Sequence, residues 1–143
     1  MAVDKKYPVT QSASDIADWD RIADRYVGNS EGNLPGTNPM YLQLKSVLWE
    51  CLGDLNGKTV LDVGCGDGWL CRELAAAGAQ VTGVDGSQKL LDIGRMKDEG
   101  IPYLQADLAN GLPVGLGLFD RIVSLMVLMD IPELDRLFVD LRQ

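Results

Sequence analysis

A run of alternating glycines follows a short apolar segment near the middle of the chain. Gly64, Gly66 and Gly68 come directly after Val60–Val63. At such a bend, glycines let backbone N–H groups approach a ligand that a Cβ atom would keep away, although glycines also serve tight turns that bind nothing. The run alone therefore suggests a ligand site without establishing one.

Two carboxylates follow the next two apolar segments. Asp85 directly follows the segment Gln80–Val84, at a place where an acid can accept hydrogen bonds from both hydroxyls of a ribose. Asp107 lies just beyond Ile101–Gln105, where it can accept a hydrogen bond from an adenine amino group while Leu108 packs against the ring. Asp107 taken alone is equally well explained as a solvated loop acid. Its place in the same series of segments favours the ligand role.

A third carboxylate, Asp62, lies within the apolar segment that precedes the glycines. A carboxylate on a buried strand is costly unless it meets a cation or hydrogen-bond donors. A ligand ammonium group would satisfy it.

The elements that carry these residues alternate between strands and helices. Short β-branched apolar runs predict strands, and apolar residues at helical spacing predict the helices between them. Such alternation predicts an α/β fold with a parallel sheet, right-handed crossovers and helices on both faces. The predicted strands are Thr59–Val63, Gln80–Val84, Ile101–Gln105 and Phe119–Leu125; the predicted helices are Trp69–Ala77, Ser87–Glu99 and one that begins near Leu134.

The N-terminal part differs in character from the rest. Residues 1–14 are polar and aperiodic, which predicts a flexible arm. Residues 15–56 carry two helical patterns and are predicted to form a helical cap. Residues 57–143 are predicted to form the ligand-binding domain. The stretch Gly28–Pro39 between the two helices has the composition of a loop, which is interpreted as a lid or, equally, as a surface linker.

Composition excludes several classes of function. The 13 Lys and Arg against 21 Asp and Glu give a net charge of -8, which repels nucleic acid and anionic bilayers. No apolar run is long enough to cross a membrane, and no leader pattern opens the chain, so a cytoplasmic protein is expected. The chain has 3 cysteines and no histidine, so free thiols are expected, with no metal site and no histidine-based hydrolysis.

Three of these motifs together resemble those of a known family. Val60–Gly68 resembles the first motif of class I S-adenosylmethionine-dependent methyltransferases, Val81–Ser87 their ribose-binding segment, and Gln105–Leu108 their adenine-contacting segment. Phe119–Leu125 resembles the fourth strand of the family, and Trp19–Tyr26 resembles the helix that often covers the cofactor in members acting on small molecules.

The resemblance implies a Rossmann-like sheet of order 3-2-1-4 and methyl transfer from S-adenosylmethionine to a small-molecule acceptor, with S-adenosylhomocysteine as product. It also implies that the family's last three strands are missing from this chain, so that the open fourth strand pairs with further polypeptide or with a second copy in a homodimer. No catalytic residue is assigned. The implied cofactor-binding residues are Asp62, Gly64, Cys65, Gly66, Asp85, Gly86, Ser87, Asp107, Leu108, Leu125 and Met126.

Two alternatives stay open at this point. A nicotinamide dinucleotide domain uses a similar turn and acid, but its fingerprint requires a glycine where this chain has Trp69. The second alternative is a module that binds the cofactor but catalyses no reaction.

Asp130 occupies a place where many family members carry a histidine, and it is interpreted first as the cap of the helix that follows.

Overall fold

A computed structural model of the chain describes residues 10–32 and 39–142. Strands and helices alternate from Thr59 onward, after two N-terminal helices. The helices are α1 Thr10–Gly32, α2 Pro39–Leu52, α3 Trp69–Ala76, α4 Gln88–Lys97 and α5 Asp135–Asp140; the strands are β1 Thr59–Val63, β2 Gln80–Asp85, β3 Tyr103–Gln105 and β4 Arg121–Val123. Single turns of 3₁₀ helix cover Leu108–Asn110 and Leu128–Asp130.

The four strands form one parallel sheet in the order β3-β2-β1-β4. This confirms the predicted fold class and strand order. β1 lies in the interior because it is apolar on both faces, and its last four residues are all buried. β3 lies at an edge, next to Pro102, which has no N–H to donate to a further strand.

Helices cover both faces of the sheet. On one face, α2, α3 and α4 pack against the sheet around Leu70, Leu74 and Leu91, and on the other face α5 packs through Leu137 against Leu61. α1 packs mainly on α4, through a small cluster that includes Ala23, Val27 and Leu90. Because every strand runs in the same direction, all four carboxyl ends meet at one edge of the sheet.

The ends of several elements differ from the prediction. α1 begins at Thr10 rather than Asp15 and continues to Gly32, so the first residues of the predicted loop are helical. Gly28 lies within the helix, where glycine costs only about 1 kcal/mol relative to alanine. Residues 1–9 and the remainder of the predicted loop, 33–38, lie outside the described residues.

β3 and β4 are each shorter than predicted. β3 begins only at Tyr103, after Pro102. β4 begins at Arg121. At the preceding position the side chain of Asp120 bonds to Thr59: its carboxylate accepts hydrogen bonds from the backbone N–H and the hydroxyl of Thr59, at 2.9 and 3.0 Å.

Among the described helices, none is long and apolar enough to cross a membrane.

Candidate functional site

A cleft of about 1570 Å³ opens along the carboxyl edge of the sheet. Ligand sites in proteins commonly occupy about 300–1000 Å³, so this cleft has room for more than one small molecule. Ten of the eleven residues predicted from the sequence line it: Gly64, Cys65, Gly66, Asp85, Gly86, Ser87, Asp107, Leu108, Leu125 and Met126. The eleventh, Asp62, is buried and does not line the cleft.

The glycine bend, defined as residues 64–68, forms the floor of the cleft. Gly64, Gly66 and Gly68 all have positive φ, at 78, 56 and 73°. Such values strain any other L-residue. The N–H groups of Gly64 and Cys65 donate to the carbonyl of Val84, at 2.7 and 3.1 Å, which ties the bend to the tip of β2.

Asp85 connects the bend to the start of α4. One carboxylate oxygen accepts the Gly66 N–H at 2.8 Å and the other accepts the Ser87 N–H at 2.8 Å. Burial raises the pKa of Asp85, although these backbone hydrogen bonds oppose the effect. Each carboxylate oxygen has two acceptor positions, so Asp85 can still accept hydrogen bonds from vicinal hydroxyls in the cleft.

Asp107 combines a local structural role with its position in the cleft. It accepts hydrogen bonds from the N–H of Ala109 at 3.1 Å and the side-chain amide of Asn110 at 3.0 Å, and so caps the 3₁₀ turn that follows. Its carboxylate also accepts a hydrogen bond from the hydroxyl of Ser12 in α1. Leu108 is almost fully buried beside it and forms an apolar wall of the cleft.

Asp62 lies beneath the glycine bend, and only 2% of its surface is exposed. Its carboxylate accepts a hydrogen bond from the thiol of Cys71 at 3.2 Å. Burial raises the pKa of Asp62 to about 7, and the nearby Asp85 carboxylate adds to this. The structure therefore brings Asp62 behind the bend, not into contact with the cleft where the sequence placed a ligand ammonium group.

This buried acid predicts a pH dependence of stability. Because the pKa of Asp62 rises from 3.8 to about 7 on folding, the folded protein holds its proton more tightly. The contribution of Asp62 to stability is therefore full below its unfolded pKa and is lost as pH rises from about 4 to about 7, by at most about 4 kcal/mol. Urea unfolding of the wild type and of Asp62→Asn across this range should show this loss as a difference in slope between the two proteins. Equal slopes in the two proteins would contradict the assignment.

Leu125 and Met126 follow β4 on the other side of the bend. Met126 has φ 59°, the only positive value at a residue other than glycine in the described part of the chain. Such a conformation is uncommon for a long side chain and tends to occur at ligand sites. Met126 is 52% exposed at the cleft, so its thioether is accessible to a bound molecule.

α1 forms the outer wall of the cleft. Asp20 of α1 accepts hydrogen bonds from the hydroxyl of Ser87 at 2.5 Å and the N–H of Lys89 at 3.1 Å, which fixes α1 over the start of α4. Ile16 packs so closely on Gly86 that a Cβ there would lie 2.8 Å from it. Tyr26 lines the cleft as well.

Several cleft residues were not predicted from the sequence. Tyr41 of α2 stacks edge to face on Trp69 at 4.6 Å and donates a hydrogen bond to Glu73 at 2.9 Å. Trp69 follows the glycines directly and could have been noticed, but no local pattern indicates that Tyr41 faces it. The remaining lining residues that the sequence did not suggest include Lys45, Trp49, Arg72, Lys97 and Met129.

The interpretation of Asp130 as a helix cap is wrong. α5 begins five residues later, at Asp135, and the residue at its cap position is Leu134, which makes no side-chain cap. Asp130 instead ends a 3₁₀ turn and lines the cleft.

The predicted absence of a metal site concerns the whole chain. Residues 10–32 and 39–142 contain no group of acids and cysteines placed to hold an ion.

Comparisons with known proteins agree with this architecture. The sequence model of the methyltransferase domain family matches residues 61–143, more than half of the chain. The ubiquinone biosynthesis O-methyltransferase of Bordetella parapertussis is 49% identical over 104 residues, which cover 70% of this chain and 42% of that protein. The chain thus spans about half the length of the curated relatives it matches.

Solved structures give the same result. An S-adenosylmethionine-dependent methyltransferase from Mesorhizobium loti is 34% identical, with a TM-score of 0.63 over 70% of this chain and 47% of that one. Magnesium protoporphyrin IX methyltransferase from Synechocystis, with bound SAH, is 26% identical, with a TM-score of 0.57 over 80% of this chain and 59% of that one. By its matched sequence and its sheet order, the chain belongs to the methyltransferase domain family.

Proposed function

We propose that this chain binds S-adenosylmethionine in the cleft and forms the cofactor-binding part of an enzyme that methylates an oxygen atom of a small molecule. The observation that carries the proposal is the convergence of the glycine bend, Asp85 and Asp107 on one cleft. These groups follow β1, β2 and β3, which are neighbours in the sheet, so their order matches the order of amino acid, ribose and adenine along an adenosyl amino acid.

The cleft residues divide among the parts of that ligand. Asp85 would bind the ribose hydroxyls, and Asp107 with Leu108 the adenine. The backbone of Gly64, Cys65 and Gly66, with Leu125 and Met126 opposite, would surround the methionine portion, while Gly86 and Ser87 line the ribose and adenine side. Asp62 would not contact the ligand directly, because it is buried and does not line the cleft.

When bound, the cofactor supplies a methyl group on a positively charged sulfur. Transfer is an in-line displacement in which the acceptor oxygen forms a bond to the methyl carbon, the carbon–sulfur bond breaks, and its electron pair stays on sulfur. The chain contributes chiefly by holding the two reactants at the correct distance and angle, which can supply a large part of the rate enhancement. The carboxylates of Asp85 and Asp107 give that part of the cleft the sign that suits a cationic ligand.

The choice of an oxygen acceptor rests on the relatives, several of which are named ubiquinone biosynthesis O-methyltransferases and are 31–49% identical to this chain. The cleft itself favours a flat, partly apolar acceptor. Beyond the predicted cofactor residues, it is lined by Tyr41, Trp49 and Trp69, whose rings offer stacking surfaces.

Further features of the proposal concern assembly and location. We propose that a second copy of the chain pairs with the edge of β4, which carries Ile122 at 43% exposure. Cytoplasmic location and the absence of nucleic-acid partners stay predictions from the acidic composition.

Calorimetric titration of S-adenosylhomocysteine tests the proposed cofactor. The wild-type chain should bind, and Asp85→Ala should bind about ten- to a hundredfold more weakly, because hydrogen bonds from ligand hydroxyls to a carboxylate are lost. Asp85→Asn keeps the shape and should fall between the two. Asp92→Ala, on the exposed side of α4, should bind like the wild type. No binding by the wild-type chain would refute cofactor use by this polypeptide.

A further inference from the structure

The side chain of Asp67 lies at the centre of a small cluster of charges between the glycine bend, α3 and α4. Only 5% of this side chain is exposed. One carboxylate oxygen, Oδ2, receives the ammonium group of Lys97 at 2.9 Å and the guanidinium of Arg72 at 3.4 Å. The other, Oδ1, is buried and has no hydrogen-bond partner in the described part of the chain.

Arg72 contacts the same residue twice. Its second nitrogen donates to the backbone carbonyl of Asp67 at 2.7 Å, so the guanidinium holds both the main chain and the side chain. The two cations come from different helices, Arg72 from the first turn of α3 and Lys97 from the last residue of α4. Each is 27% exposed, so both are largely removed from solvent.

The close approach of α4 to the bend depends on Gly94. A Cβ at that position would lie 3.0 Å from the carbonyl oxygen of Asp67 and 3.2 Å from the ring of Tyr103. A larger residue would push α4 outward and carry Lys97 with it. Gly94 and Lys97 lie three residues apart on one side of the helix, so the glycine brings the lysine within reach of Asp67.

We propose that Lys97 and Arg72 are positioning residues that fix the glycine bend, through Asp67, in the shape that binds the cofactor. This inference rests on the proposed function. Three glycines within five residues give the bend little rigidity of its own, because glycine has the largest backbone freedom of any residue. The bend needs an external constraint, and the ion pairs with Asp67 provide one where the bend meets α3 and α4.

The constraint reaches the ligand through the backbone. Gly66 precedes Asp67 in the chain, and its N–H donates to the Asp85 carboxylate. A rotation of the peptide units around Asp67 therefore changes both the ligand-facing backbone of Gly66 and the orientation of Asp85. Loss of one cation would leave the Asp67 carboxylate buried and only partly compensated, and the bend would shift to bring it toward water.

Three lysine variants separate this role from general stability. Lys97→Met keeps the length of the side chain without its charge, and should weaken S-adenosylhomocysteine binding about tenfold or more, because small displacements of a binding group have large effects. Lys97→Arg should restore most of the affinity. Lys58→Met is the matched control: Lys58 lies just before β1, at the opposite edge of the sheet and outside the cleft, and should bind like the wild type.

Hydrogen exchange provides a measurement without any ligand. In ligand-free Lys97→Met, the amides of residues 65–68 should exchange faster than in the wild type, while the amides in β1 and β2 stay equally protected. Should Lys97→Met fail to fold, Asp67→Asn removes the charge from the loop side and should give the same pattern. Unchanged exchange at the bend in Lys97→Met would overturn the inference. Unchanged affinity of Lys97→Met for S-adenosylhomocysteine, when the wild type binds it, would overturn it as well. If the wild type binds no S-adenosylhomocysteine but the bend loosens in Lys97→Met, the two cations still fix the bend and only the proposed cofactor fails.

Discussion

Replacement of Gly66 by alanine should weaken S-adenosylhomocysteine binding by about a hundredfold or more, while the protein stays folded. Gly66 lines the cleft, and a Cβ there would meet no protein atom within 4 Å, so the added methyl group occupies open space at the site. Ligand atoms packed on this backbone would meet that methyl group. The φ of 56° adds a strain of about 1 kcal/mol, which affects stability rather than affinity.

Gly53→Ala is the matched control for this prediction. Gly53 has a similar φ, 67°, and also has open space at its Cβ position, but it lies at the end of α2 and outside the cleft. Both variants should lose a similar amount of stability in thermal unfolding, and only Gly66→Ala should lose affinity. Wild-type affinity in Gly66→Ala would show that no ligand approaches this part of the bend.

Replacement of Gly64 by alanine should destabilise the fold itself, by about 4 kcal/mol. Two costs add here. The φ of 78° strains any Cβ-bearing residue, and the added Cβ would lie 2.4–2.5 Å from three atoms of Val127, which lies between β4 and the following 3₁₀ turn. Relief of that clash requires the segment after β4 to move away from the bend, which opens the floor of the cleft.

Denaturant unfolding of Gly64→Ala and Gly57→Ala separates these two costs. Gly57 has φ 70° with no atom near its Cβ position, so its variant should show only the strain, about 1–2 kcal/mol. The difference between the two variants measures the packing of Val127 on the bend. Equal losses in the two proteins would mean that the segment after β4 does not press on Gly64.

Two groups of side chains flank the glycine bend. One is the ion pairs of Asp67 with Arg72 and Lys97, toward α3 and α4. The other is the buried pair of Asp62 in β1 and Cys71 in α3. Hydrogen bonding with Cys65 and burial raise the pKa of the Cys71 thiol, so this thiol stays protonated and chemically quiet.

The sequence alone predicted the fold class, and the family resemblance predicted the strand order. Of the eleven site residues proposed from the sequence, ten line the cleft. The reason is that these features depend on neighbours along the chain. A β-branched run forms a strand, a glycine run turns it, and an acid placed directly after a parallel strand must lie at the carboxyl edge.

Side-chain orientation and long-range contacts were decided only by the tertiary structure. Asp62 and Asp85 are both strand acids in the sequence, but the pleat turns Asp62 into the layer beneath α3 while Asp85 reaches the cleft. Lys97 meets Asp67 from 30 residues away, and Ser12 meets Asp107 from 95. No local pattern encodes such pairs, because they arise from how whole helices pack on the sheet and from single glycines such as Gly94 that allow the helices to come close.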